Sequence, residues 1–271
     1  MQLIAGNSSV TIDNPLYGYA TEIKLAFDVT RLIGRYAHAD YGPEFDHRTL
    51  SASTHWRNES DMVLLAAFLR DNRGTEITLS LGADPTGFFP FGPDLGDKGD
   101  FTVHLDEYVS GGVLDMPFRH FAPELRLKLK SAPAYVLPDP VTEGAFSVGG
   151  INFRWPQNGV APTTRNGRTH VYTRSGAQYG LDLGTGADVH EVAFTLEGGA
   201  ENIGRFLHSV GLPGRTDDVV ISVPEHYWLF GPENDSAGAY KTRLITSILS
   251  VTHDRFNRFS VPVRYWMREK A

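Results

Sequence analysis

The densest group of titratable side chains lies in the string His38 to His47, which places two imidazoles and three carboxylates close together: His38, Asp40, Glu44, Asp46 and His47. Imidazole and carboxylate together suit several divalent ions, so these five are candidate metal ligands. The string is also centred on Tyr41-Gly42-Pro43, a turn signal, and a solvated hairpin loop is the preferred reading because no partner cluster recurs later in the chain. A second acidic stretch carries Asp94, Asp97 and Asp100 among glycines. It lacks the alternating ligand positions and closing Glu of an EF-hand loop, and reads as a connection between strands.

Nucleophilic chemistry is poorly represented. The nearest approach to a G-x-S-x-G elbow is Ala145-Phe146-Ser147-Val148-Gly149, which begins with Ala and precedes no expected helix. Asp106 and Glu107 could serve as a glycosidase pair, but any strand-rich chain offers adjacent carboxylates. His104, His170, His190 and His208 are scattered singly and read as surface or satisfied half-core side chains. Cysteine is absent, which removes thiolate zinc sites, iron–sulfur clusters and cysteine nucleophiles together. H-E-x-x-H, P-loop and G-x-G-x-x-G patterns are missing as well. No catalytic residue, cofactor or metal is assigned, and the chain is not expected to be an enzyme.

What remains is aromatic. Two turns read FFPFGP, with Phe88, Phe89 and Phe91, and YWLFGP, with Tyr227, Trp228 and Phe230. These rings could form a stacking platform for sugars or bases. Burial is the preferred alternative, each turn folding over the end of its own sheet and against its helix. A third reading has one or two of the rings anchoring a neighbouring subunit.

The elements that must carry these turns are mostly strands. Val, Ile, Thr, Phe and Tyr occur in short alternating runs punctuated by 28 Gly and 16 Pro. Alternation is clear at Leu50, Ala52, Thr54 and Trp56, at Ile77, Leu79 and Leu81, and at Leu125, Leu127 and Leu129. Helical spacing occurs twice. Met62, Leu65, Ala66 and Leu69 predict a helix from about 60 to 72, capped by Asn58 or Ser60 and ended by Gly74. Ile203, Phe206, Leu207 and Val210 predict another from about 200 to 210, ended by Gly211.

Both helices sit in a repeated order. Leu65, Phe68 and Leu69 match Ile203, Phe206 and Leu207 at an offset of 138, and Phe91-Gly92-Pro93 matches Phe230-Gly231-Pro232 at 139. Phe118, Arg119 and Pro123 match Phe256, Arg258 and Pro262 at nearly the same spacing, while Thr30, Arg31 and Tyr36 match Thr173, Arg174 and Tyr179 at 143. Collinearity of strand, helix, strand, turn and strands indicates a tandem duplication. The expected organisation is a first β domain over 1–132, a proline-rich linker over 133–145 with Pro133, Pro138 and Pro140, and a second β domain over 146–271.

Bulk properties narrow the partners. With 271 residues, two domains are favoured over one. A net charge of −7 argues against a dedicated nucleic-acid binder, whose affinity comes from clustered Lys and Arg. No signal or transit peptide is read at MQLIAGNSSV, and no run is long and apolar enough for a membrane helix, so a soluble protein without membrane insertion is expected.

In pattern, the segments Asp61 to Gly74 and Glu201 to Gly211, with their flanking strands and FGP turns, resemble the tail-tube and hub domain of long-tailed bacteriophages. The order is similar to that of siphophage distal tail and minor tail proteins, and a tandem pair resembles baseplate hub proteins. The resemblance implies two tandem tail-tube-like β-barrel or sandwich domains, each with one flanking helix, in a structural protein at the virion tail tip, made in the host cytoplasm. Implied partners are the tail tube protein, tail tip or hub proteins, the tape measure protein and further copies of the chain, with DNA only passing through the channel. Three copies would present six similar domains in a pseudo-sixfold ring, and a hexamer is the alternative. A negative lumen would let DNA slide without sticking. A carbohydrate-binding β-sandwich is the competing reading, and a hydrolase the third.

Overall fold

Alternating inward and outward side chains make half-buried strands, and the described residues of this chain form nineteen of them with two α-helices in a computed structural model. The residues described are 1–12, 19–32, 35–53, 59–115, 120–165, 168–172, 178–182, 188–211, 217–224, 228–230, 238–254 and 258–270. The first half contains β1 (Gln2–Ala5), β2 (Ser8–Thr11), β3 (Ala20–Lys24), β4 (Phe27–Leu32), β5 (Arg35–Asp40), β6 (His47–Ser53), α1 (Glu59–Asp71), β7 (Ile77–Ser80), β8 (Asp100–Asp115) and β9 (His120–Ser131). The second contains β10 (Phe146–Val148), β11 (Ile151–Phe153), β12 (Ala161–Arg165), β13 (Arg168–Tyr172), β14 (Gln178–Asp182), β15 (Val189–Gly198), α2 (Ala200–Gly211), β16 (Val219–Val223), β17 (Gly238–Leu244), β18 (Ile248–His253) and β19 (Phe259–Lys270). The fold is mainly β, and no helix among the described residues is long and apolar enough to cross a membrane.

Strand pairing repeats between the halves. The first runs β2-β1-β7-β8-β9-β6-β3 and the second β11-β10-β16-β17-β19-β15-β12, all antiparallel, each with a separate hairpin, β4–β5 or β13–β14. The helices stand at the same place in both orders and bury the matched side chains: Leu65, Phe68 and Leu69 in α1, Ile203, Phe206 and Leu207 in α2. Gly74, at φ 78°, follows the first helix as expected of a left-handed position. Gly211 is instead the last residue of α2. Asn58, Thr54, Trp56, Phe118, Arg119, Thr173, Arg174, Phe256, Gly231 and Pro232 lie outside the described residues.

One equivalence shifts. Tyr36 faces Arg31 across its hairpin, whereas Tyr179 faces Val171. The second hairpin has the longer connection, so Thr30-Arg31 corresponds in register to residues before Thr173. Loop length, which the strand ladder does not constrain, absorbs the difference.

The halves differ most where β8 has its counterpart. β8 runs unbroken to Asp115 beside β9, with register shifts between Leu105 and Glu107 and between Val109 and Val113. Its equivalent is broken into β17 and β18. Ile245 donates its amide to the Arg264 carbonyl at 2.9 Å, after which the chain leaves β19, and Leu25 donates to the Ser247 carbonyl at 2.8 Å. β18 thereby reaches β3 of the first half, with Ile248 opposite Lys24 and Thr252 opposite Ala20, and joins both halves into one fifteen-stranded sheet. The expected linker is extended and strapped across α2. Asn202 exchanges hydrogen bonds with Val141 at 2.6 and 2.7 Å, and Arg205 donates to the Pro138 carbonyl at 2.8 Å.

Two apolar clusters form the core. One packs α1 against Leu3, Leu79, Phe101 and Leu127. The other packs α2 against Phe146, Phe194 and Val261, and takes in Ile23, Leu25, Phe27 and Phe89 from the first half. Beside the first lies Tyr19, whose phenol accepts the Phe89 amide at 3.2 Å. Burial, with Asp97 adding to it, pushes Tyr19 up to about 12. Burial alone also raises Tyr265. Because only the neutral phenol is accommodated in the fold, this stability is fully present below about pH 10 and is lost as pH rises through 12. Urea melts from pH 9 to 12 should show the loss, and Tyr19→Phe should reduce it by about 2 kcal/mol. An unchanged alkaline slope would contradict the assignment.

Candidate functional site

The candidate site is the junction at which the halves meet, since the first aromatic turn and several buried polar groups converge there. Arg48 on β6 grips the first FGP turn. Its guanidinium makes a two-pronged contact with Asp94 at 2.7 and 2.6 Å and donates to the Phe91 carbonyl at 2.8 Å. Asp94 is nearly sealed from water, and Arg48 largely so. Planar guanidinium suits this fork, which a lysine could not reproduce. Thr21 of β3 donates to the Pro90 carbonyl at 2.9 Å, so the turn is tied to two strands at once.

Thus fixed, the turn projects toward the other half. The rings of Phe88, Phe89 and Phe91 are buried, Phe88 and Phe91 in the cluster that holds α1 of their own half, and Phe89 in the cluster that holds α2. The Pro93 carbonyl lies 3.1 Å from where a Cβ on Gly204 of α2 would stand, and Leu207 of α2 approaches Gly92. The turn therefore packs against α2 of the second half. Phe89 meets Phe259 edge-to-face at 5.4 Å, and Phe88 meets Tyr19 at 4.7 Å. β18 pairs with β3, the strand whose Thr21 holds the turn, so second-half residues lie beside it.

Gly92 sits at φ 106°, where an added Cβ would come within 2.9 Å of Asp94 and 3.3 Å of Leu207. Gly92→Ala is expected to cost about 1–3 kcal/mol, from backbone strain and displacement of the Arg48 clamp. A chemical denaturation midpoint equal to the parent's would contradict this.

The second turn is only partly equivalent. Phe230 is buried edge-on against Tyr240 at 5.3 Å. Trp228, at the position of Phe89, is 51% exposed. Tyr227 lies outside the described residues. Together these positions offer one exposed ring among buried ones, so they make no continuous stacking platform.

The β4–β5 hairpin closes the junction from the other side. Tyr36 donates to Glu191 Oε1 at 2.5 Å and lies edge-on to Trp266. Glu191 is 1% exposed, with Arg165 at 2.6 Å and Arg264 at 2.5 Å. Burial, and next the hydrogen bond to Glu191, raises the Tyr36 phenol. His38 places Nε2 2.9 Å from the Leu244 carbonyl, and burial lowers its pKa, which favours the neutral ring. Neither this carboxylate network nor the His38 contact was singled out by sequence reasoning. Their partners are about 155 and 206 residues apart, so no local spacing could reveal them.

The remaining candidates disperse. His38 points to the second half, Asp46 accepts the Ala26 amide at 2.7 Å, Asp40 accepts the Gly42 amide at 3.0 Å, and Glu44 folds over Gly42. His47 is exposed. Among the described residues no group of three or more His, Asp or Glu converges as a metal site. Asp97 accepts the Gly87 amide, Asp100 accepts from Ser80, and Asp106 pairs with Arg126 beside an exposed Glu107. Ser147 lies in β10, followed by the hairpin turn Gly149-Gly150, both at positive φ, and then by a strand, so it is not on an elbow. His104 and His190 are half-buried, His208 is exposed, and only the backbone of His170 is described. The chain matches no protein-family model and no curated protein.

Proposed function

We propose that this chain is a structural subunit of a long-tailed phage virion, joining the tail tube to the tail tip as part of a ring around the DNA channel. The observation that supports it is the repeated strand order, together with the use of a strand from one half to complete the sheet of the other. A unit that extends its neighbour's sheet is suited to assembly, because each addition covers an edge that would otherwise pair indiscriminately. Further copies of the chain, the tail tube protein, tip or hub proteins and the tape measure protein are its proposed partners. The net charge of −7 suits passage of DNA without adhesion.

Immunogold labelling of phage particles with an antibody to this chain should place gold at the tail end distal to the head. Label absent from particles, with the protein found only in the cell extract, would overturn the assignment.

Exposed Trp228 supports a second reading, a carbohydrate-binding module. Sugar stacking on that ring would quench tryptophan emission in the parent and leave the quench absent in Trp228→Phe. The virion reading predicts no sugar-dependent change in either.

A further inference from the structure

The contact that joins the halves within one chain uses two surfaces whose counterparts have no such partner strand among the described residues. On the donor side is β18. The repeat matches Glu107, opposite Arg126, to Ile245, opposite Arg264, and matches the closing pair Asp115–His120 to His253–Phe259. Residues 110–114 of β8 therefore stand where 248–252 of β18 stand. Within them, 110–112 fall in the register shift between Val109 and Val113, where the ladder to β9 is interrupted.

On the acceptor side is β3. Thr49 precedes buried Leu50 and Ala52 in alternation, as Glu191 precedes buried Val192 and Phe194. Glu22, opposite Thr49, is thus equivalent to Thr163, opposite Glu191, and β3 to β12. β3 is held on both sides, by β6 and β18, whereas β12 pairs only with β15 among the described strands and its side chains are mostly exposed.

We propose that the distal part of β8 in one copy pairs antiparallel with the outer edge of β12 in a second copy, placing Ser110 opposite Arg165, Gly112 opposite Thr163 and Leu114 opposite Ala161. This rests on the assembly reading above and adds which edges meet. The contact is heterologous, so every copy gives one strand and receives one, and n copies make a closed sheet of 2n similar halves wherever the rotation closes.

A third counterpart falls at the same junction. Phe89 is buried against Phe259, while Trp228 in the equivalent position is open. The counterpart of Phe259 is His120, at the base of the arm that would arrive from the second copy, so the contact that occupies β12 also covers Trp228. The two junctions are not equal in strength. Ile23 is buried at the internal one, but Thr164 stands in its place on β12, and Pro162 offers no amide. Pairing between copies is accordingly more polar and more readily reversed than pairing within one.

The absence of cysteine makes the test direct. Leu114→Cys and Ala161→Cys are prepared as separate proteins, mixed and oxidised with diamide. Opposed residues in an antiparallel pair lie at about 4.5–5.5 Å between Cα atoms, within disulfide reach. A reducible covalent dimer is expected from the mixture and from neither variant alone; Gly112→Cys with Thr163→Cys should behave likewise if the first pair perturbs folding. Ala20→Cys with Thr252→Cys in one chain, at the equivalent internal pair, should close within the monomer and calibrates the chemistry. Ring-sized particles in mass photometry without either mixed dimer, while the internal pair closes, would overturn these edges and leave the assembly reading standing. Dimers from a single variant alone would overturn the heterologous geometry. A parent chain that remains monomeric at micromolar concentration would overturn both.

Discussion

Glu191→Ala is expected to lower stability by about 3 kcal/mol, with a fall in Tm of about 6 °C or more. The carboxylate is sealed from water and receives Tyr36 from one half and Arg165 and Arg264 from the other. Removing it leaves two guanidinium groups close to one another and a phenol without its acceptor. Both arginines retain some access to water, which places the cost at the lower end of that seen for breaking buried ion pairs. Glu191→Gln keeps the volume and one acceptor, and should cost about half as much. Tyr36→Phe loses one hydrogen bond to a charged group, worth about 1.5–3 kcal/mol. Thermal melts by circular dichroism check the order Ala, then Gln, against the parent. A Glu191→Ala melt within 2 °C of the parent would show that the network contributes nothing to joining the halves.

Phe89→Ala should be of comparable size, about 3–4 kcal/mol, because it removes a buried ring from the cluster that spans the junction. Its effect reaches beyond local packing. Phe89 touches Phe259 at the base of the β18 arm, so the variant should also loosen β18 from β3 and speed proteolysis around 245–254. Trp228→Ala offers the contrast. The same position in the repeat is open to solvent in the single chain, so the monomer's stability should change by no more than about 0.5 kcal/mol. Under conditions where copies associate, the same variant should weaken association instead. Paired urea melts of the two variants separate these outcomes, and equal losses in the monomer would contradict the claimed difference in burial.

The repeated order of elements was legible because helix spacing and the FGP turns are local patterns. Leu65, Phe68 and Leu69 face the core for the same reason that Ile203, Phe206 and Leu207 do, and periodicity reports that directly. Register at the β13–β14 hairpin was not legible, since loop length is independent of the alternation that flanks it. Nor was the break between β17 and β18. Residues 238–253 alternate much as β8 does, and only the tertiary position of β3 determines that the chain bends at 245–247. Phe88, Phe89, Phe91 and Phe230 are buried, yet nothing in FFPFGP specifies that Phe89 and the Pro93 carbonyl meet the helix of the other half. The Glu191 network joins side chains from distant strands, each unremarkable in its own segment.

The most direct test of the central claim is mass photometry of the purified chain followed by end-on electron-microscopic class averages. Two matching halves with one arm and one open edge should yield a discrete assembly at a whole multiple of 29.9 kDa, with twice as many lobes as copies around an open centre. A population that stays at the mass of one chain, or a closed two-fold dimer with both arms buried, would contradict it.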